Sequence, residues 1–202
     1  MRKNGHRDSE HTRALLLDAA SKEIHQHGFQ AANLDRILTS AGVTKGALYY
    51  HFPNKQALGI AVIREVIKGV LQRQMVDPLL AQEDPIDALI RMVEGRMDEF
   101  DTTEAAFGCP LNNLIQEMSP VDEDFRKRLL SILEQSRQAI ASTLERGKAM
   151  GQVRQNVACD EAAMFIMASI EGALGITKAY LSVDSYRGCL TQLQGYIRSL
   201  TA

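Results

Sequence analysis

Apolar residues recur at three- and four-residue intervals along most of the chain, and no stretch alternates with period two for more than a few residues. That spacing predicts helices, because 3.6 residues per turn gather positions i, i+3, i+4 and i+7 on one face. The first helix is predicted from about Ser9 to His27, with Leu15, Leu16, Ala19, Ala20 and Ile24 on its stripe; Gly28 ends it and Phe29 folds back as an anchor. Leu34, Ile37, Leu38 and Ala41 make the face of a second helix. Asn33 is placed to cap it, and Gly42 to leave it through a positive φ. A third helix runs from about Lys45 to Phe52, capped by Thr44 and stopped by Pro53. Leu48 and Phe52, four apart, face inward, and Val43 plugs the turn.

Lys55 to Met75 is apolar on more than one side, so it must be buried on more than one side. Asp77-Pro78 and Glu83-Asp84-Pro85 are expected to punctuate its end. Five more helices follow on the same logic: Pro85–Phe100, Cys109–Met118, Asp122–Met150, Asp160–Leu181 and Ser185–Leu200. The expected fold is all-α with about nine helices. Residues 1–55 form a three-helix domain containing a helix-turn-helix, joined to a C-terminal helical bundle over residues 56–202.

Composition keeps this picture globular: of 202 residues, 45% are hydrophobic and 24% charged. No uninterrupted apolar run reaches the roughly 18 residues of a membrane span. The N-terminus has no signal-peptide pattern, so a cytoplasmic protein without membrane contact is expected. Charge is uneven. Residues 1–60 hold eight basic and five acidic residues, a net +3, so the overall −2 leaves −5 on the remainder. A mildly basic head fits contact with phosphates, although ordinary solvated faces differ by as much. Arg2, Lys3 and Arg7 form a polar tail that would fray in solvent or reach a phosphate or minor groove. Cys109, Cys159 and Cys189 are far apart and lack CxxC spacing, and His25 and His27 do not share a helical face. No metal or cofactor is implied. A Gly-rich phosphate loop, G-x-S-x-G and HExxH are all missing from the sequence, so an enzyme is not expected.

The second helix of a helix-turn-helix can enter the DNA major groove. Lys45, Tyr49 and His51 are long or aromatic donors there, and Gly46 and Ala47 let a backbone approach closely. Tyr50 could face either way, and a plain helical hairpin remains the alternative. Lys55 opens the next helix, where a cation and backbone N–H groups together would meet a phosphate.

The block GF-x-A-x-x-L-x-x-I near Gly28, with AGVTKGALYYHFPNKQAL from Ala41 to Leu58, resembles the DNA-binding domain of the TetR family of transcriptional regulators. The match is dense and ungapped over about the first sixty residues. It implies phosphate contacts from Thr44, Tyr49, His51 and Lys55, with Lys45 and Gly46 on the base-reading edge. Asn33, Ala47 and Tyr50 belong to the same expected DNA-binding set. Two departures stand out: Ala47 replaces a common Thr or Ser, and Leu38 replaces a common small alanine. The resemblance implies a regulator, expected to be a repressor, that binds a palindromic double-stranded operator as a homodimer and is released by a small hydrophobic effector. An effector-free or thiol-responsive regulator is the alternative.

One recognition helix reads few base pairs, so two copies with helices one DNA turn apart, about 34–36 Å, are expected. The last two helices are the candidate dimer interface, through Ala168, Gly172, Gly175, Leu190, Leu193, Tyr196 and Ile197; plain core is the other reading. A pocket is expected around Met97, Phe100, Phe107, Cys109, Asn113, Met118, Phe165 and Glu171, where flexible and aromatic groups meet polar ones. The segment FGCPLNNLIQEMS resembles a helix beside the effector pocket of some TetR-type regulators. Cys109 opens that helix, where backbone N–H groups and the dipole are expected to favour thiolate.

Overall fold

The computed structural model describes residues 3–80, 84–100 and 102–202. Among them there is no strand, only an isolated bridge between Val153 and Thr201. Helix α1 spans Lys3–His27, α2 Leu34–Ala41 and α3 Lys45–His51. α4 is helical without a break over residues 55–80, with π-helical turns at Val62–Ile67 and Gln72–Val76. Then come α5 Pro85–Glu99, α6 Thr102–Phe107, α7 Pro110–Met118, α8 Glu123–Ala149, α9 Cys159–Tyr180 and α10 Val183–Ser199.

The nine expected helices are all present, with three differences. α1 begins at Lys3, ahead of the expected Ser9; Arg2 lies outside the described residues. α4 passes through Asp77-Pro78 and ends at Leu80. The proline lacks an N–H and its ring crowds the preceding turn, and that turn is widened into a π-helix rather than broken. Six residues, Thr102–Phe107, form an unforeseen helix too short to show a periodic stripe.

The chain divides into two compact units. The first holds residues 1–69 together with 113–129; the second holds 70–112 and 130–202. The expected division at residue 55 follows chain order, whereas packing adds much of α4 and the segment 113–129 to the head.

In the first unit, Leu16, Ala20, Ile37, Leu48, Phe52, Leu58, Ile63 and Phe125 are buried. Full burial of each large apolar side chain contributes roughly 1.5–3 kcal/mol. Phe29 packs against Phe125 with ring centroids 4.6 Å apart and the rings tilted by 50°. Both rings lie against Gly59 of α4, where an added Cβ would come within 2.5 Å of Phe29 and 3.1 Å of Phe125. Only a residue without a side chain lets α4 pass there.

In the second unit, α9 packs along α10 and α10 along α5. Leu89, Met92, Val93, Ile140, Leu144, Ile166, Ile170, Leu190 and Ile197 fill its interior. α9 is long and apolar enough, by length and composition, to cross a membrane; 44% of its apolar stretch is buried within the chain. Gln152 Nε2 donates to Asp84 Oδ2 at 2.7 Å, and Arg154 N–H to Leu200 O at 3.0 Å.

Candidate nucleic-acid interface

The geometry of the head is set by local chemistry at three caps. Asn33 Oδ1 accepts from Asp35 N at 2.8 Å and Arg36 N at 3.4 Å, which starts α2. Gly42 ends it at φ 65°, ψ 32°, a left-handed conformation that glycine adopts without steric cost. Gly42 N–H donates to Thr39 O and Val43 N–H to Leu38 O, satisfying carbonyls at the helix end. Thr44 Oγ1 accepts from Ala47 N at 3.2 Å and starts α3. Buried Ile37, Ala41 and Leu48 hold the two helices together.

What α3 leaves outside is its polar and aromatic face. Lys45, Gly46, Tyr49 and Tyr50 are exposed, Tyr50 by 78%. Ala47 and His51 are half-buried. The Tyr50 ring meets His51 edge-on at 4.9 Å, so its ring is turned outward and not into the core. A Cβ on Gly46 would have no closer neighbour than Thr44 Oγ1 at 3.9 Å, leaving the backbone open to a ligand. Between α2 and α3 lies a groove of about 390 Å³, lined among others by Asn33, Asp35, Leu38, Lys45 and Tyr49.

Asn33 is thus primarily a cap and brace. Its own N–H donates to Glu23 Oε1 at 2.9 Å. The same carboxylate receives two bonds from Arg36, at 2.8 and 2.5 Å. These donors, Arg36 first, hold the Glu23 carboxyl below the usual carboxylate range against the opposing effect of burial. Lys55 also has an internal task. Its Nζ donates to Gln30 O at 2.9 Å and sits 5.2 Å from the Phe29 ring centroid. Two of its three N–H donors remain for a phosphate at the start of α4.

The turn carrying Phe29 is held by a residue that sequence reasoning did not assign to it. Glu117 of α7 accepts from Phe29 N at 2.8 Å and from Gln30 N at 2.7 Å. Gly28, at φ 80°, leaves room for this: a Cβ there would lie 2.9 Å from Glu117 Oε2. Eighty-eight residues separate Glu117 from Phe29, so no local signal announces the bond. Gln56 Nε2 makes a similar link to Asp122 Oδ2 at 2.9 Å.

The residues of the other expected sites fall in both units. Phe100, Cys109 and Glu171 fall in the second unit, with Met97 and Phe107 half-buried there. Asn113 and the buried Met118 belong to the first unit, and Phe165 is half exposed, with its ring 4.6 Å from Tyr196. Phe165 therefore sits on an outer face and does not line an interior pocket. Ala168, Gly172 and Gly175 are exposed on α9. Leu190, Leu193 and Ile197 are not: at 0–3% exposure they face the unit's own core and have no surface to offer a second chain. Helical spacing of apolar residues marks a buried face but does not say what buries it.

Cys109 departs from expectation. Asn112 N–H does donate to its Sγ at 3.5 Å, as a helix start allows. Burial, helped by nearby Glu171, outweighs that donor and pushes the thiol up to about 12. The thiol is neutral and enclosed. Beside it stand Arg96, Glu171 and Tyr186, a polar group that includes two residues sequence reasoning passed over.

Two short helices at a glycine turn, with an open polar face on the second, in a chain that also holds a separate helical unit, define a helix-turn-helix regulatory protein. The comparisons with known proteins carry this further. The chain matches the family described as bacterial regulatory proteins, tetR family, over residues 16–62. It matches the tetracyclin repressor-like C-terminal domain over residues 85–193. It is 30% identical over 168 residues to an HTH-type transcriptional regulator in the lacX 3' region of Lactococcus lactis subsp. lactis, covering 83% of each. It is 27% identical over 169 residues to the HTH-type transcriptional repressor DhaR of a Mycobacterium strain, covering 80% of each. The crystal structure of a regulatory protein TetR from Rhodobacter sphaeroides superposes with a TM-score of 0.81 at 24% identity, over 94% of this chain and 98% of that one, a likeness of fold. The chain belongs to the TetR family of helix-turn-helix, DNA-binding transcriptional regulators.

Proposed function

We propose that the chain is a repressor that binds a two-fold symmetric operator as a homodimer and is released when its second unit takes up a small molecule. The observation that carries the DNA contact is the outer face of α3, where Lys45, Gly46, Tyr49 and Tyr50 stand clear of the core beside the α2–α3 groove. On this reading Lys45 and Gly46 meet base edges. Thr44, Tyr49, His51 and Lys55 meet phosphates, which fix register without reading sequence. Ala47 lies at the same surface.

Pairing is supported by the outer face of α9. Met164, Phe165, Ile176, Tyr180 and Leu181 are each at least half exposed. Ala168, Gly172 and Gly175 lie between them, and a Cβ at either glycine would meet nothing within 4 Å. So much apolar surface on one face is a place for a second copy. Tyr196, ringed against Phe165, extends the face onto α10. A repressor is favoured because two relatives of comparable length carry that name, and a cytoplasmic location follows from contact with DNA.

Release by a small molecule works through differential affinity: the effector must bind better to the arrangement whose heads are wrongly spaced for adjacent major grooves. The thiol-responsive alternative is disfavoured by Cys109, whose enclosed thiol is the wrong form for attack. Selection of bound sequences from a random duplex pool tests the whole reading. A symmetric consensus with half-sites about one turn apart is expected. An asymmetric site, or a chain that stays monomeric and ignores DNA at low salt, overturns it.

A further inference from the structure

Within the second unit four elements bring polar groups to one buried place: Arg96 from α5, Cys109 at the start of α7, Glu171 from α9 and Tyr186 from α10. Among the described residues, Arg96 Nε, Glu171 Oε2 and Tyr186 OH are buried and make no hydrogen bond of good geometry, although the Tyr186 hydroxyl and the Arg96 guanidinium are close enough to interact. Tyr186 is 0% exposed, so its hydroxyl has no water to turn to at the surface. A buried polar group left unpaired is costly, so three in one cluster call for an explanation.

The charges say what would complete them. The Arg96 guanidinium stays ionised in any protein setting. Its Nη1 donates to Gln74 Oε1 at 3.2 Å, a neutral acceptor. Among the described residues no carboxylate lies within ion-pair distance of it. Burial pushes the Glu171 carboxyl above the usual carboxylate range, with Arg96 and Cys109 opposing. Around Arg96 there are thus a guanidinium and a phenol able to donate, and among the described residues no carboxylate in direct contact with the cation. The Phe100 ring, 4.1 Å from Tyr186 and tilted by 35°, supplies an apolar wall.

We infer that this cluster binds a small organic carboxylate, its two oxygens accepting from Arg96 Nε and the Tyr186 hydroxyl and its hydrocarbon part lying toward Phe100. An Arg–carboxylate contact of this kind is charge-assisted and roughly twice as strong as a neutral one. The inference rests on the reading that the second unit takes an effector, and it names that effector's class.

Isothermal titration of the full-length protein with butanoate and benzoate, against butanamide and benzamide as uncharged isosteres, tests it. The carboxylates should bind and the amides should bind at least about tenfold more weakly. Tyr186→Phe, which keeps the ring, should weaken the carboxylates about tenfold. Arg96→Gln should abolish the difference between acid and amide. If that variant does not fold, Arg96→Lys, which keeps the charge but loses the planar fork, should lower affinity while leaving the acid preferred. Equal binding of acids and amides, no binding of acids from acetate to octanoate, or full affinity in Tyr186→Phe overturns the inference and leaves the three atoms to water. Operator affinity measured in parallel separates the two readings. Acid that binds without weakening DNA contact sinks release while the site stands; intact DNA binding with no acid bound sinks the site alone.

Discussion

Lys45 and Tyr49 sit one turn apart on the open face of α3 and are expected to do different work. A side chain that reads bases alters which sequence is preferred, whereas one that grips phosphate alters affinity for all sequences alike. Lys45→Ala should therefore shift the consensus recovered from a random pool, at a cost of about 1–3 kcal/mol on the preferred site. Unchanged affinity and preference would remove Lys45 from the reading edge. Tyr49→Phe should weaken every duplex by a similar factor, visible as parallel binding curves on operator and unrelated DNA. Glu23 supplies a pH dependence at the same scale. Its carboxyl is depressed in the folded head by Arg36 and the Asn33 N–H. A depressed carboxylate contributes stability that is present above its ordinary value of 4.5 and is lost as pH falls through the folded value. Thermal unfolding should show the head losing stability below about pH 4.5, and Glu23→Gln should flatten that slope.

At the level of elements, close packing fixes the head as firmly as its caps do. Gly59→Ala would push a methyl into Phe29 and Phe125. Overpacking of this kind costs about 1–3 kcal/mol, readable as a lowered midpoint in urea, with DNA affinity falling only through stability. The same region shows what a sequence can and cannot disclose. Asn33, Gly42, Thr44 and Pro53 act on backbone within four residues of themselves, so α2, the turn and α3 are legible in one dimension. Glu117 acts across 88 residues and Asp122 across 66, and nothing near either residue marks it as a partner of the head. In the second unit, the stripe through Leu190, Leu193 and Ile197 foretold burial correctly but not by which surface. The polar cluster was half visible: Cys109 and Glu171 stood out as chemistry beside apolar residues, while Arg96 and Tyr186 looked like ordinary helix positions.

For the whole molecule, the exposed face of α9 is the feature with the widest effect. Gly172→Glu puts a charge where nothing in the same chain lies within 4 Å, so the folded protomer should be unaffected. If that face joins two copies, the variant should elute as a monomer with an unchanged circular dichroism spectrum and lose most operator affinity. A dimer that persists would move the joint elsewhere.

Glu117 bears on how such proteins can be cut and recombined. The stretch recognised as the DNA-binding family ends at residue 62. The carboxylate that ties down the Phe29 turn, and the Phe125 ring that covers it, come from 113–129. A fragment excised at that point would carry its reading helix on a loosened base, and a chimera that borrows a relative's first sixty residues would inherit a mismatched brace. Transplanting specificity should succeed only when this later segment travels with the head, or when its glutamate and phenylalanine are rebuilt in the host.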